Sequence, residues 1–312
     1  MKVFITGASG FIGRYLIEEL RANDYQLVGL SRKTHQTAKG IKFIKGDITK
    51  PETFSKYLKD IDIVYHNAAY AMDWGKKKDF HEINVQGTRN VAEACLRQGV
   101  NRLIYTSSAG VYGYPKKDEI ITEKTEKKPL NMYQKTKYEG EKVLRDYDDL
   151  VVSAIRPPLV FGPGSPALKI AFSNLRNGTM MYIGDGNQKI TIAHPRDVAK
   201  CMRLIAEHDK TGDVFNVASF ICQIKEFMQQ TAKESGLKPP TKHVPFALAY
   251  TVAWFTELFK KNPTLTRFRV KSLGTTRRIS AEKATQKLGY TPTYDFSTTI
   301  KEISAWYKKD LA

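Results

Sequence analysis

Tyr133 and Lys137, in the run Tyr133-Gln134-Lys135-Thr136-Lys137, are spaced to do proton chemistry. On a helix, side chains four residues apart share a face, so phenol and ammonium would lie side by side. A neighbouring cation favours the phenolate, and such a tyrosine can exchange a proton with a substrate oxygen near neutral pH. The same spacing recurs in Tyr112/Lys116 and Tyr138/Lys142. Gly113 and Pro115 break any helix across the first of these. The spacing alone leaves the other two pairs open.

The elements that must position such a pair follow from the hydrophobic pattern. Nearly continuous apolar, β-branched runs predict strands at Lys2–Thr6, Gln26–Leu30, Lys42–Lys45, Ile63–His66, Arg102–Thr106 and Val152–Arg156. Between them, helical patterns cover Ile12–Ala22, Phe80–Arg97 and Met132–Asp146. This alternation predicts an α/β fold, a doubly wound parallel sheet of Rossmann type, over residues 1–162. Beyond Gly162 the alternation weakens, with short strands at Met181–Ile183 and Val214–Val217. Residues 163–312 are therefore expected to form mainly a smaller, mostly helical substrate lobe, with some segments returning to the Rossmann sheet.

Several segments fall at the carboxyl ends of these strands, where an open parallel sheet binds ligands. Gly7-Ala8-Ser9-Gly10-Phe11-Ile12-Gly13 joins the first strand to the first helix. Glycines there permit a tight turn and bring backbone amides against a pyrophosphate at the helix N-terminus. The spacing is GxxGxxG rather than GxGxxG. The second strand ends at Leu30-Ser31-Arg32-Lys33, with no acid to hold a free ribose. A small hydroxyl followed by two cations suits a 2′-phosphate, which favours NADP over NAD. In the plainer alternative, Arg32 and Lys33 stack on the adenine or face solvent. Asp47 and Ile48 follow the third strand, where a carboxylate can accept from an adenine amino group. Asn67, Ala68 and Ala69 follow the fourth, small enough for close backbone approach. Asn84 falls on a helix facing this edge, and Thr106, Ser107 and Ser108 end the fifth strand. Each segment alone has a turn or cap explanation; their succession in this order does not.

Bulk properties narrow the function classes. The content of 41 % hydrophobic and 26 % charged residues is that of an ordinary globular chain. The net charge of +18 is spread along the sequence without an RNA-binding motif or aromatic-basic cluster. That spread fits a lysine-rich surface attracting an anionic cofactor or substrate better than a nucleic-acid partner. Cys95, Cys201 and Cys222 are scattered and odd in number, as expected in a reducing cytoplasm. The chain enters its first strand at once, so no signal peptide is expected. The histidines show no ligand-like spacing, so no metal site is expected either. The most apolar stretch, Val244–Phe259, is shorter than the roughly 20 residues of a spanning helix. A buried or lid helix over the substrate pocket is the leading expectation, and a membrane-surface helix capped by Lys260 and Lys261 the alternative.

With these motifs, the chain resembles the extended short-chain dehydrogenase/reductase superfamily of NAD-dependent epimerase/dehydratase type. The resemblance runs nearly end to end, through Arg156-Pro157-Pro158-Leu159-Val160-Phe161-Gly162-Pro163 and Lys287-Leu288-Gly289-Tyr290-Thr291-Pro292. It implies that Ser108 hydrogen-bonds the reacting oxygen, that Tyr133 is the general acid/base, and that Lys137 lowers its pKa while binding the nicotinamide ribose. Asn84 matches an active-site asparagine of the family, and Thr106 and Pro157 fall in its cofactor-binding segments. The family pattern also places the catalytic tyrosine at a helix start, which selects Tyr133 and leaves Tyr138 as a packing residue. By analogy, Phe80–Arg97 and Met132–Asp146 would form the helix-bundle interface of a homodimer.

Departures from subfamily patterns bear on the reaction. Sugar 4,6-dehydratases carry Asp-Glu where this chain has Ala109 and Gly110, so the acid/base pair that eliminates water is missing. Nucleotide-sugar epimerases commonly carry Asn at Leu159 and Arg at Ile190, both contacting a diphosphate; Lys189 or Arg196 offers replacement charge. The 156–163 segment, Ile192–Ala199 and the apolar stretch look more like the 3β-hydroxysteroid dehydrogenase and dihydroflavonol reductase branch. The resemblance therefore implies an oxidoreductase acting on a secondary alcohol or ketone of an apolar small molecule. A nucleotide-sugar epimerase and a non-catalytic NAD(P)-binding regulator remain as alternatives.

Overall fold

The apolar runs pair into one sheet. In the computed structural model, which describes residues 1–33, 40–115 and 119–312, the strands are β1 (Lys2–Thr6), β2 (Gln26–Ser31), β3 (Ile41–Lys45), β4 (Ile63–His66), β5 (Arg102–Thr106), β6 (Val151–Arg156) and β7 (Val214–Asn216). All pairings are parallel and the order is β7-β6-β5-β4-β1-β2-β3. The chain reverses its direction of growth between β1 and β4, which opens a crevice at their carboxyl ends.

Alternate residues of each strand feed two cores, as the pleat requires. Val3 and Ile5 face one layer, with Leu16 and Leu20 of the helix Phe11–Ala22 and Val198 and Met202 of Pro195–His208. Phe4, Val64 and Leu103 face the other, with Val91 of Gly87–Arg97 and Leu144 of Met132–Leu144. Each such fully buried side chain contributes about 1.5–3 kcal/mol. Covering both faces explains why these strands read as continuous apolar runs.

The lobe is mostly helical, and it also has a small sheet of its own. Leu159–Val160 pairs parallel with Lys189–Ala193, which pairs antiparallel with Phe220–Gln223. Leu168, Phe172, Ile192, Phe227, Ile303 and Tyr307 fill the core between this sheet and the surrounding helices. The two halves also exchange segments. Val214–Asn216 forms the edge of the main sheet, whereas Leu159–Val160 joins the lobe sheet. Lys116 lies outside the described residues.

Among the described residues, no helix is long and apolar enough to cross a membrane, and no group of three or more His, Cys, Asp or Glu could hold a metal ion. Cys95, Cys201 and Cys222 are free and buried.

Candidate active site

The turn after β1 is shaped by close backbone contacts. Gly7 has φ +66°, and a Cβ there would stand 2.8 Å from the Ala68 nitrogen. A Cβ on Gly13 would meet the Gly7 carbonyl oxygen at 2.3 Å, so only glycine lets this helix start against its own turn. Gly10 caps the helix Phe11–Ala22 without a side-chain bond, which leaves its first amides open toward the crevice.

Around that turn runs a cleft of about 550 Å³, lined by Gly7, Gly10, Phe11, Ile12, Ser31, Arg32, Asp47, Ile48, Asn67, Ala68 and Ala69 among others. These are residues the sequence assigns to the cofactor, brought together from the ends of four strands. Gly13, Thr106 and Pro157 are not part of the lining. Ser31 is buried and its hydroxyl bonds that of Ser9 at 3.1 Å, while Arg32 and Lys33 are exposed at the rim. The Asp47 Oδ1 accepts from the Thr49 amide and hydroxyl. Uncapped amides, a glycine cradle and an exposed guanidinium fit a dinucleotide and its phosphates.

Tyr133 enters through its helix cap. Asn131 accepts from the Gln134 amide at 2.9 Å while the Gln134 side chain accepts from the Asn131 amide, a capping box that starts the helix Met132–Leu144 just before the tyrosine. Ser108 lies close enough to the Tyr133 hydroxyl to pull its pKa down, and its Oγ accepts from the Gly110 amide at 3.0 Å. Ala109 donates to the Pro157 carbonyl, which holds the serine segment against β6.

Burial dominates the electrostatics here. Burial pushes the Tyr133 phenol up to about 12, with Ser108 pulling it down. Lys137 is shifted as well. Its ammonium sits 3.9 Å from the centroid of the Tyr105 ring, and burial brings its own pKa down to about 7 against the opposing pull of Glu141. Below it lies His66, held neutral with a pKa near 3 by burial and then by Lys137. The His66 ring bridges the hydroxyls of Thr6 at 2.8 Å and Thr88 at 2.9 Å.

Asn84 occupies a π-helical turn, Glu82–Gln86, between the helical segments Lys77–His81 and Gly87–Arg97. Its Oδ1 accepts from the Tyr70 amide at 2.7 Å and its Nδ2 donates to Thr136 Oγ1 at 3.0 Å. It thereby ties the loop after β4 to the tyrosine's helix. A π turn at such a position is common at functional sites.

The other tyrosine pairs go elsewhere. Tyr138 packs on the cluster of Ala109, Val111, Ile121 and Ile279, with Lys142 over its ring. Tyr112 is buried in a polar network that the sequence reading does not anticipate. Arg156 bonds both oxygens of Glu141, at 2.9 and 2.5 Å, and the Tyr112 hydroxyl at 2.7 Å. Ser107 donates to Glu141, and Tyr112 to Asn216 at 2.8 Å. One signal for it was available: Tyr133, Lys137 and Glu141 are successive four-residue steps on one helical face.

On the lobe side, Arg277 donates to the carbonyl of Ala109, next to Ser108, at 2.8 Å, and lies over the Tyr114 ring. No carboxylate pairs with it among the described residues. Ile190 is 2 % exposed in the lobe core, so that position packs rather than facing a ligand. Arg196 pairs with Glu18 at 2.8 Å.

Comparison with known proteins agrees with this geometry. Over 98 % of its length the chain is 28 % identical to 99 % of a 2-alkyl-3-oxoalkanoate reductase of Stenotrophomonas maltophilia. It is likewise 28 % identical, over 93 % of its length and 86 % of the relative's, to the decarboxylating sterol-4-alpha-carboxylate 3-dehydrogenase of Mus musculus. Among solved structures, MoeE5 in complex with UDP-glucose and NAD superposes with a TM-score of 0.81 at 27 % identity, covering both chains completely. Residues 3–218 match the family described as NAD dependent epimerase/dehydratase. With more than half its length matched, and with the glycine turn and cleft at the sheet's carboxyl edge, the chain belongs to the NAD dependent epimerase/dehydratase family.

Proposed function

We propose that the chain is an NAD(P)-dependent oxidoreductase that interconverts a secondary alcohol and a ketone, with a 3-hydroxy or 3-oxo acid of apolar body as substrate. The observation that carries this reading is Tyr133 at the start of its capped helix beside Ser108, with Lys137 one turn further along the same helix. In the reducing direction, Ser108 and Tyr133 hold the carbonyl oxygen and Tyr133 gives it a proton. With its pKa near 12 the phenol is protonated at neutral pH, as a donor must be. Lys137, poised near 7, restores that proton. When bound, the nicotinamide supplies or accepts the hydride. Asn84 keeps the Tyr70 loop and the tyrosine's helix in register.

The substrate class follows from two observations. The names of both reductase and dehydrogenase relatives describe a carbonyl or hydroxyl carbon next to a carboxylate-bearing carbon. In this chain Arg277, with no carboxylate partner among the described residues, lies beside Ser108. A guanidinium there would hold the acid while the serine and tyrosine hold the neighbouring oxygen. For the cofactor, Ser31, Arg32 and Lys33 support NADP over NAD. A homodimer through Gly87–Arg97 and Met132–Leu144 and a cytoplasmic setting belong to the same proposal.

The likeness to a UDP-glucose complex favours a second reading, a nucleotide-sugar epimerase. Against it, Ile190 is packed in the lobe core, and Arg196 is engaged by Glu18. Thermal-shift measurement separates the readings, since a ligand binding only the folded state raises the melting temperature. An apolar 3-oxo acid with NADP should stabilise the parent, and Arg277→Ala should lose the acid's share only. Stabilisation by UDP-sugars and none by the acid would overturn the proposal.

A further inference from the structure

The helix Phe246–Phe259 faces the wrong way for a protein in water. Its small residues Ala249 and Ala253 are buried, at 4 % and 0 % exposure, and its large ones are not. Leu248, Phe255 and Leu258 are 57 %, 49 % and 58 % exposed, Val252 and Trp254 both 44 %, and Phe259 80 %. An ordinary surface helix turns its apolar stripe inward, and a contiguous apolar patch left outside marks an interaction site. This overturns the buried-helix expectation.

The rim of the patch is basic. Trp74 Nε1 donates to the Lys261 carbonyl at 3.1 Å, which brings the segment carrying exposed Lys76, Lys77 and Lys78 to the end of the helix, beside exposed Lys260 and Lys261. Nearby acids are already committed. Asp73 is bound to Arg269 at 2.6 Å, and Glu257 to Arg267 at 2.6 Å, leaving Asp79 beside the lysine run. None of the five lysines forms an ion pair among the described residues.

We propose that this corner of the lobe docks on an anionic lipid surface. The apolar face enters the boundary between headgroups and acyl chains, and the lysines meet the anionic headgroups. The helix has 14 residues, suited to lying in the interface rather than crossing it. Charge decides among occupants: a second copy seated here would bring lysines against lysines. Nucleic acid would leave the apolar face unmatched. The proposal stands independently of the reaction assigned above.

The test is co-sedimentation of the full chain with phosphatidylcholine vesicles, with and without phosphatidylglycerol. Binding is expected to the anionic vesicles, weakened by salt. The pair Phe255→Ser and Phe259→Ser, and separately Lys76→Glu with Lys77→Glu, should each bind roughly tenfold or more weakly. Unchanged thermal melting would show both variants folded, since the altered side chains are exposed. Equal binding to neutral vesicles, no binding to either, or variants binding like the parent would overturn the proposal. So would lipid-free self-association that the serine variants abolish.

Discussion

The two sides of the active cleft are built from different materials. On the cofactor side, the turn is set by backbone: the Gly7 bend, the uncapped amides after Gly10, and the Ala68 nitrogen that a Cβ on Gly7 would meet at 2.8 Å. On the lobe side the wall is made by side chains drawn from distant segments, with Arg277 meeting Ala109, and Tyr114 meeting Ser272. A backbone cradle tolerates few changes and suits one ligand shape. A side-chain wall can be rebuilt residue by residue, which fits one fold serving many substrates.

Tyr133 stands between the two, and removing its hydroxyl should produce the largest effect. Tyr133→Phe should lower kcat by roughly 10²–10⁴-fold while leaving the dissociation constant for the dinucleotide unchanged. If cofactor affinity fell in parallel, the phenol would belong to the cofactor side and the division would blur. Next comes the seam beneath the cleft. Arg156→Met would strand buried Glu141, and urea unfolding should show a loss of about 3–5 kcal/mol. A loss under about 1 kcal/mol would mean that water already reaches this ion pair.

A smaller effect should mark the cofactor rim. Arg32→Ala should weaken NADP by about 1.5–3 kcal/mol, the worth of a charge-assisted hydrogen bond, and leave NAD nearly untouched in a titration of cofactor fluorescence. Equal losses for both would refute the 2′-phosphate assignment. The last is a pH dependence. Lys137 is held near 7 in the folded chain and returns to its ordinary value, 10.5, when unfolded. Between those values the unfolded state binds the extra proton, so stability should rise with pH across that window. Below it the cost of burying the charge is fully present. Lys137→Met should remove that slope, and an identical slope in the variant would contradict the burial account.

How much was legible in the sequence follows the same division. The boundaries of β1, β4 and β5 match the sequence reading, and those of β2, β3 and β6 differ by one residue, because strands covered on both faces are apolar throughout. The cofactor turn was legible because its constraint is local: a Cβ at Gly13 collides with a residue six positions earlier. The Phe80–Arg97 pattern gave no sign of the π turn, which accompanies the hold of Asn84 on Tyr70 and Thr136. The resting place of Lys137 depends on Tyr105, thirty-two residues away on a neighbouring strand. The sequence pattern does not single out Val214–Asn216 as the segment that returns to the main sheet, because its partner, β6, is distant in sequence. The apolar stretch 244–259 was visible as a helix, but which side it shows to solvent depends on the lobe packed under Ala249 and Ala253.

The central claim is net hydride transfer with Tyr133 as the proton donor. Its most direct test is a single turnover of an apolar 3-oxo acid with nicotinamide reduced and deuterated at C4, followed by mass spectrometry of the product. The account predicts a 3-hydroxy acid carrying the deuterium at its carbinol carbon, and no such product from Tyr133→Phe. Deuterium that stays with the cofactor, with the 3-oxo acid recovered unchanged, would contradict it.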